Sequence, residues 1–162
     1  MEPSPELIEK LRRSGIRIDR EGELIHEGEP FRHQGLRRAL FRWLDRLDDG
    51  RYVLRLDERR FAYIDVEDTP LVVRALRLSD LGDAVSLQLS DGAEETLDPR
   101  TLTVDAQGIL RCWVHGGRIE ARLATSAAAV LADRITETPQ GPTLSLGAAP
   151  PQVVARRPES PP

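Results

Sequence analysis

Three carboxylates stand together at Asp65-Val66-Glu67-Asp68, at the end of a stretch, Phe61 to Val66, that reads as a strand. Side chains alternate across a strand, so Asp65 and Glu67 share one face and Asp68 falls at the turn before Pro70. Glu67 and Asp68 can accept hydrogen bonds from a ligand's amine or ribose hydroxyls, or hold a divalent cation. Equally, Asp68 can close its own turn and Glu67 can pair with an arginine. Arg32 and Arg122 each precede a helical segment. A guanidinium beside a helix N-terminus suits phosphate or carboxylate, because its planar fork and the N–H groups there both favour an anion. The same arginines can instead form internal salt bridges to Glu58, Glu67 or Glu120. Glu58 with Glu67 is capable of acid–base work only if the two are buried together.

Other chemistry finds less support. His26, His33, His115 and Cys112 are the only imidazole and thiol ligands, and zinc needs three or four that converge. Cys112 and His115 are three apart on an expected strand, which points them to opposite faces, so no metal site is expected. No nucleophile elbow and no phosphate-cradling glycine loop is present. Gly116-Gly117 reads as a turn, and no catalytic residue or cofactor is assigned. Arg38, Arg42 and Arg46 recur every four residues, but Asp45 and Asp49 lie beside them, and the row reads as a solvated helix face.

These residues sit in a chain of 162 with a net charge of −4, 40% hydrophobic and 31% charged residues, a globular balance rather than a disordered one. No apolar run approaches the roughly 20 residues of a membrane helix, so no membrane span is expected. Met1 to Glu6 has neither basic flank nor apolar stretch, and one cysteine suits a reducing compartment; the expected location is cytoplasmic. Of the 23 basic residues only Lys10 is not arginine. A net acidic chain is a poor general nucleic-acid binder, and nucleic acid is not an expected partner.

The elements that must position the site alternate between strand and helix. Ser4-Pro5 opens a short N-terminal helix with Leu7, Ile8 and Leu11. Strand-like pieces follow at Ile16–Ile18 and Leu24–His26, and the stripe Leu36, Leu40, Trp43, Leu44, Leu47 predicts a helix over Leu36–Leu47 ended by Gly50. Further strands are predicted at Tyr52–Leu56, Phe61–Val66, Leu71–Leu78, Val85–Leu89, Leu102–Val104, Leu110–Val114 and Ile119–Leu123. Arg118, Glu120 and Arg122 take the polar face of the last. A second helix, capped by Thr125 or Ser126, carries Ala127, Val130, Leu131 and Ile135. Thr143–Leu146 is a closing strand, and Ala148–Pro162, with five prolines in fifteen residues, is an extended tail.

Ile16-Arg17-Ile18-Asp19-Arg20-Glu21-Gly22-Glu23-Leu24 reads against Leu102-Thr103-Val104-Asp105-Ala106-Gln107-Gly108-Ile109-Leu110, residue for residue 86 apart. Each copy is followed by a β piece, an arginine (Arg32, Arg122), a helix and a glycine turn (Gly50, Gly141). Two units of about 50–60 residues, each with a marginal core, would gain stability together and leave a cleft suited to a ligand.

The stretch Arg17–Asp68 resembles the bacterial family known as domain of unknown function 1285. The resemblance rests on Gly22, His26-Glu27-Gly28-Glu29-Pro30-Phe31-Arg32, Asp48-Asp49-Gly50-Arg51-Tyr52-Val53-Leu54, Glu58 and Val66-Glu67-Asp68-Thr69-Pro70, with a looser second-half match at Gly117–Leu123. Leu24 departs from the family's usual aromatic and Asp57 from its usual proline. The resemblance implies a duplicated α+β architecture with a C-terminal half loosely like pleckstrin-homology folds. It also implies a site between the halves for a nucleotide-like ligand, with a role in signalling.

The expectation is therefore an α+β protein of two tandem β-turn-β-helix-β units: an N-terminal helical arm at 1–15, halves at 16–78 and 79–147, and a Pro-rich disordered tail at 148–162. Its expected function is non-catalytic binding of a small anionic or nucleotide-like ligand by Arg32, Glu58, Glu67, Asp68 and Arg122. The alternative is an adaptor that engages a protein partner through the pleckstrin-like half and the tail; a hydrolase using the carboxylates is the third reading.

Overall fold

A computed structural model describes residues 4–159 and shows an α+β chain, rich in strands, that divides into two units, Met1–Pro70 and Leu71–Pro162. In the first unit Pro5, with its φ already set for a helix, opens α1 (Pro5–Leu11). There follow β1 (Arg13–Ile18), β2 (Leu24–His26), β3 (Glu29–Pro30), α2 (Gln34–Arg42), β4 (Leu44–Arg46), β5 (Tyr52–Arg55) and β6 (Phe61–Val66). The six strands form one sheet in the order β3-β2-β1-β6-β5-β4, antiparallel except for β1 beside β6. Ile18, Leu24, Leu40, Phe41, Val53, Leu54 and Ile64 are its buried core.

Helix α2 stops short of the predicted Leu47. The Trp43 N–H donates to the carbonyls of Ala39 and Leu40, and Leu44 then pairs with Leu54 as strand β4. A short apolar run fits a helical stripe and a strand about equally, and here the ladder to β5 decides it. Gly50 accordingly closes the β4–β5 hairpin rather than the helix: its N–H donates to the Leu47 carbonyl at 2.9 Å, and the Leu47 N–H donates to that of Arg51 at 2.8 Å.

The second unit runs β7 (Leu71–Leu78), β8 (Val85–Leu89), β9 (Glu94–Thr96), a 3-10 turn at Pro99–Thr101, β10 (Thr103–Val104), β11 (Leu110–Val114), β12 (Ile119–Leu123), α3 (Thr125–Ala132), β13 (Ile135–Thr138), β14 (Gly141–Leu144), β15 (Gln152–Val153) and β16 (Ala155–Arg156). A seven-stranded sheet has the order β16-β10-β11-β12-β7-β8-β9, and β13-β14-β15 form a second. Strand β7, grouped with the first half in the sequence reading, pairs with β12 and β8, so the division falls before Leu71 rather than after Leu78. Ala124, which has no side chain to cap with, is the N-cap of α3, and Thr125 is already helical. Ala127 and Leu131 enter the core, while Ile135 belongs to β13.

The Pro-rich tail is not disordered through its described part. Gln152–Arg157 contains no proline and forms a strap: β15 pairs with β14, β16 runs parallel to β10, and Val154 is 2% exposed. The Val154 N–H donates to the Pro142 carbonyl at 2.7 Å and the Arg157 N–H to that of Val104 at 2.8 Å. The Arg157 guanidinium also reaches Glu120 at 2.6 Å, so the polar face of β12 is covered, with Glu120 8% exposed.

The sequence echo corresponds to one turn built twice. Asp19 Oδ1 accepts the N–H groups of Glu21 and Glu23, and Asp105 Oδ1 accepts those of Gln107 and Ile109, all at 2.8–3.0 Å. Gly22 and Gly108 both stand at φ +81°, which a side chain would resist. Ile18 then faces Leu24, as Val104 faces Leu110. The Glu67 N–H donates to the Ile18 carbonyl, as that of Arg157 does to Val104.

Candidate functional site

The second unit contains a cavity of about 580 Å³, within the range of small-ligand sites. One wall is α3, whose Thr125, Ala128, Ala129 and Ala132 face it while Ala127 and Leu131 pack into the core. Four-residue spacing puts Thr125 with Ala129 and Ala128 with Ala132 on one side of the helix. The β10–β11 hairpin supplies Val104, Asp105, Ala106, Gly108 and Leu110. Ile135, Glu137 and Pro142 come from β13 and β14, and Val154 and Arg156 from the strap.

Asp105 is fully engaged from behind. Its Oδ2 contacts the buried Arg111 guanidinium while Oδ1 holds the turn amides. Burial pushes its carboxyl up, but the bond from Arg111 and the amides of Ile109 and Gln107 outweigh it and hold the carboxyl below its ordinary range. Arg111 Nε lies 4.0 Å from Glu120, which Arg157 closes from the strap. Arg156 is different: it is exposed at the cavity rim and has no ion-pair partner among the described residues.

A second charged cluster lies at the other end of β11. His115, at φ +52°, places Nε2 2.7 Å from Asp91 Oδ2 and Nδ1 against Glu95, and its N–H donates to Glu95. With a carboxylate at both ring nitrogens the imidazolium is favoured. The Asp91 bond, then the neighbouring charges, raise the His115 pKa against burial. Burial raises Asp91, but the His115 and Ala93 bonds outweigh it and lower its pKa. Among the described residues no group of three or more His, Cys, Asp or Glu side chains is placed to hold a metal ion. Cys112 is wholly buried, and burial, with the charges of Glu95 and Glu120, pushes its thiol up to about 12, so it stays protonated.

Of the residues singled out in the sequence, Arg32, Glu58 and Glu67 stand apart from one another in the first unit, and Arg122 belongs to the second. Glu67 pairs with an arginine, Arg17 of β1. Asp68 is half-buried in the turn that follows. Glu58 is exposed at the β5–β6 turn, the opposite end of β6, so six strand residues, about 20 Å, separate it from Glu67. No buried acid pair exists there. Asp57, where the resembled family has proline, closes that turn itself by accepting the N–H groups of Arg59 and Arg60 at 3.0 and 2.8 Å. Arg32 extends into solvent with Glu29 3.7 Å away. The Phe31 N–H donates to Leu24, which faces Ile18 beside Val66, so Arg32 stands about three strand spacings, roughly 14 Å, from the end of β6. Arg122 belongs to the second unit, half-buried on β12 between Arg111 and Val72 in register.

No family model and no curated protein matches the chain. Solved structures do. A DUF1285 family protein from Silicibacter pomeroyi DSS-3 superposes with a TM-score of 0.72 over 88% of this chain and 80% of its own, at 18% identity. One from Shewanella baltica OS155 gives 0.61 over 74% and 91%, at 15% identity. The fold is that of DUF1285 family proteins.

Within this DUF1285 fold, the sequence reading missed the cavity. Its only trace in the sequence is the run Ala127-Ala128-Ala129 with Ala132, which leaves one helix face without bulk. The strap that forms the far wall was hidden by the surrounding prolines.

Proposed function

We propose that this protein is a non-catalytic binding or signalling module that takes a small anionic ligand in the cavity of its second unit. The observation that carries the reading is a 580 Å³ space with a largely apolar lining that includes the exposed Arg156, an arginine without an ionic partner among the described residues. An arginine at the mouth of an apolar pocket both orients an anion and discriminates against cations. The site differs from the residues singled out in the sequence, of which Glu58 and Glu67 stand at opposite ends of β6.

The reading includes two related β-turn-β-helix-β units. Its support is the turn built twice and the parallel pairing of β1 with β6 and of β10 with β16. The pleckstrin-like character of the C-terminal half is supported by one seven-stranded sheet with α3 packed on β7 and β12. The adaptor reading would work through a tail whose Gln152–Arg157 pairs with β14 and β10, and the hydrolase reading through Glu58 and Glu67, which stand at opposite ends of β6.

The test is a thermal-shift panel of small anions, comprising phosphate, nucleoside monophosphates and organic carboxylates, on the wild type and on Ala128→Trp, which fills the cavity. An anion at about 100 times its Kd should stabilise the wild type by roughly 2.7 kcal/mol and leave the filled variant unmoved. A panel in which no anion separates the two proteins overturns the reading.

A further inference from the structure

We infer that the anion taken by this cavity is a single-tailed organic acid, its carboxylate on Arg156 and its alkyl chain along α3, and that its binding fastens the C-terminal strap Gln152–Arg157. The inference rests on the reading of the cavity as an anion site and names the class of ligand and what binding controls.

The lining selects the class. A nucleotide buries a ring that needs a stacking partner and several donors and acceptors that need hydrogen bonds. No aromatic side chain lines this cavity. Its polar side chains are Thr125, Asp105, Glu137 and Arg156, and Asp105 is already held by Arg111 and the turn amides. An alkyl chain asks for none of these and gains from every apolar area that it covers. One charged group at one end then satisfies Arg156.

The charges fix the direction. Glu137 faces Pro142 on β14, and the Pro142 carbonyl accepts the Val154 N–H. Two strand spacings, about 10 Å, therefore separate Glu137 from the strap at Val154, and Arg156 lies two residues further on. A carboxylate is drawn to the strap end and kept from the β13 end.

The strap is the wall that such a ligand would tighten. Val154 and Arg156, two residues apart, both face the cavity, whereas Val153 and Ala155 between and before them are exposed. Among the described residues the strap is held by two two-residue strands, two loop hydrogen bonds, the buried Val154 and the Arg157–Glu120 pair. Segments with so few bonds open at lower free energy than the core around them. A ligand that touches α3 with its tail and Arg156 with its head binds only the closed strap, so occupancy suppresses opening.

The experiment uses sodium decanoate on the full chain, read by thermal shift and by hydrogen exchange at the Val154 and Arg157 amides. Decanoate should raise Tm and slow exchange at both amides, about tenfold at ten times its Kd. Butyrate, which lacks the tail, and decyltrimethylammonium, which reverses the charge, should do neither. Arg156→Gln should abolish both effects with the fold intact. Equal binding of decyltrimethylammonium overturns the acid class. Binding of decanoate without slowed exchange at Val154 and Arg157 overturns the strap coupling. If decanoate is inert while another anion of the panel stabilises the wild type but not Ala128→Trp, this inference falls and the anion site stands; if no anion does so, both fall.

Discussion

The two units place the same turn ahead of a helix and differ in what fills the space between. The N-caps are His33 and Ala124; four residues on stand Arg37 and Ala128, and eight on stand Phe41 and Ala132. In the first unit Arg37 reaches back to Glu23 of the β1–β2 hairpin at 2.8 Å, and Phe41 is buried. In the second, Ile109 stands at the place of Glu23, both helix positions are alanine, and the space is the cavity. The second hairpin is braced from behind instead, through Asp105, Arg111 and Glu120, where the first has Ile25 at the position of Arg111. The turn is common to both units; the small side chains of α3 line the cavity of the second.

The comparison breaks most sharply at Arg111. Arg111→Met removes the cation from between two acids that are mostly buried, and unfolding in urea should show a loss of about 3–5 kcal/mol. A loss under 1 kcal/mol would mean that the second hairpin needs no brace. Phe41→Ala empties a buried position of the first unit and should cost about 3 kcal/mol, read the same way. The double change Ile109→Glu with Ala128→Arg writes the first unit's bridge into the second. Because that pair is only partly buried, stability should move by less than about 1 kcal/mol, while calorimetry should find the decanoate site lost.

The smallest effect is the pH response of the second unit's other cluster. His115 has a raised folded pKa, so its contribution is complete below the unfolded value of about 6.5 and is lost as pH rises through the folded value. Asp91 has a lowered folded pKa, so its contribution is present above about 3.9 and lost as pH falls through the folded value. The urea midpoint should therefore decline as pH rises above about 6.5 and through the folded value, and His115→Gln should flatten that decline. An unchanged slope in the variant would show that the ring is not held as an imidazolium.

Much of the strand pattern was legible because alternation is local: Val85, Leu87 and Leu89 are all buried, as their spacing requires. The turn at Asp19–Gly22 and its partner at Asp105–Gly108 were legible because aspartate and glycine each have a direct backbone role there. The end of α2 was not, since Leu44 suits a helix stripe and a ladder to Leu54 alike. The site was less legible still. Glu58, Glu67 and Arg32 have the right chemistry for a ligand; the strand predicted at Phe61–Val66 already sets the first two at opposite ends, whereas the place of Arg32 depends on the order β3-β2-β1-β6.

From its residues alone, this chain determines where strands alternate, where Gly22 and Gly108 must turn, and that no apolar run is long enough to span a membrane, because each follows from neighbours within a few positions. Among the described residues, likewise, no helix is long and apolar enough to cross a membrane. Only the tertiary structure decides that Gln152–Arg157 returns to β10, that Arg111 lies between two acids, and that four residues of α3 face an open space. A cavity is volume left unfilled by segments some fifty residues apart, and no local pattern of side chains records what fails to meet across it.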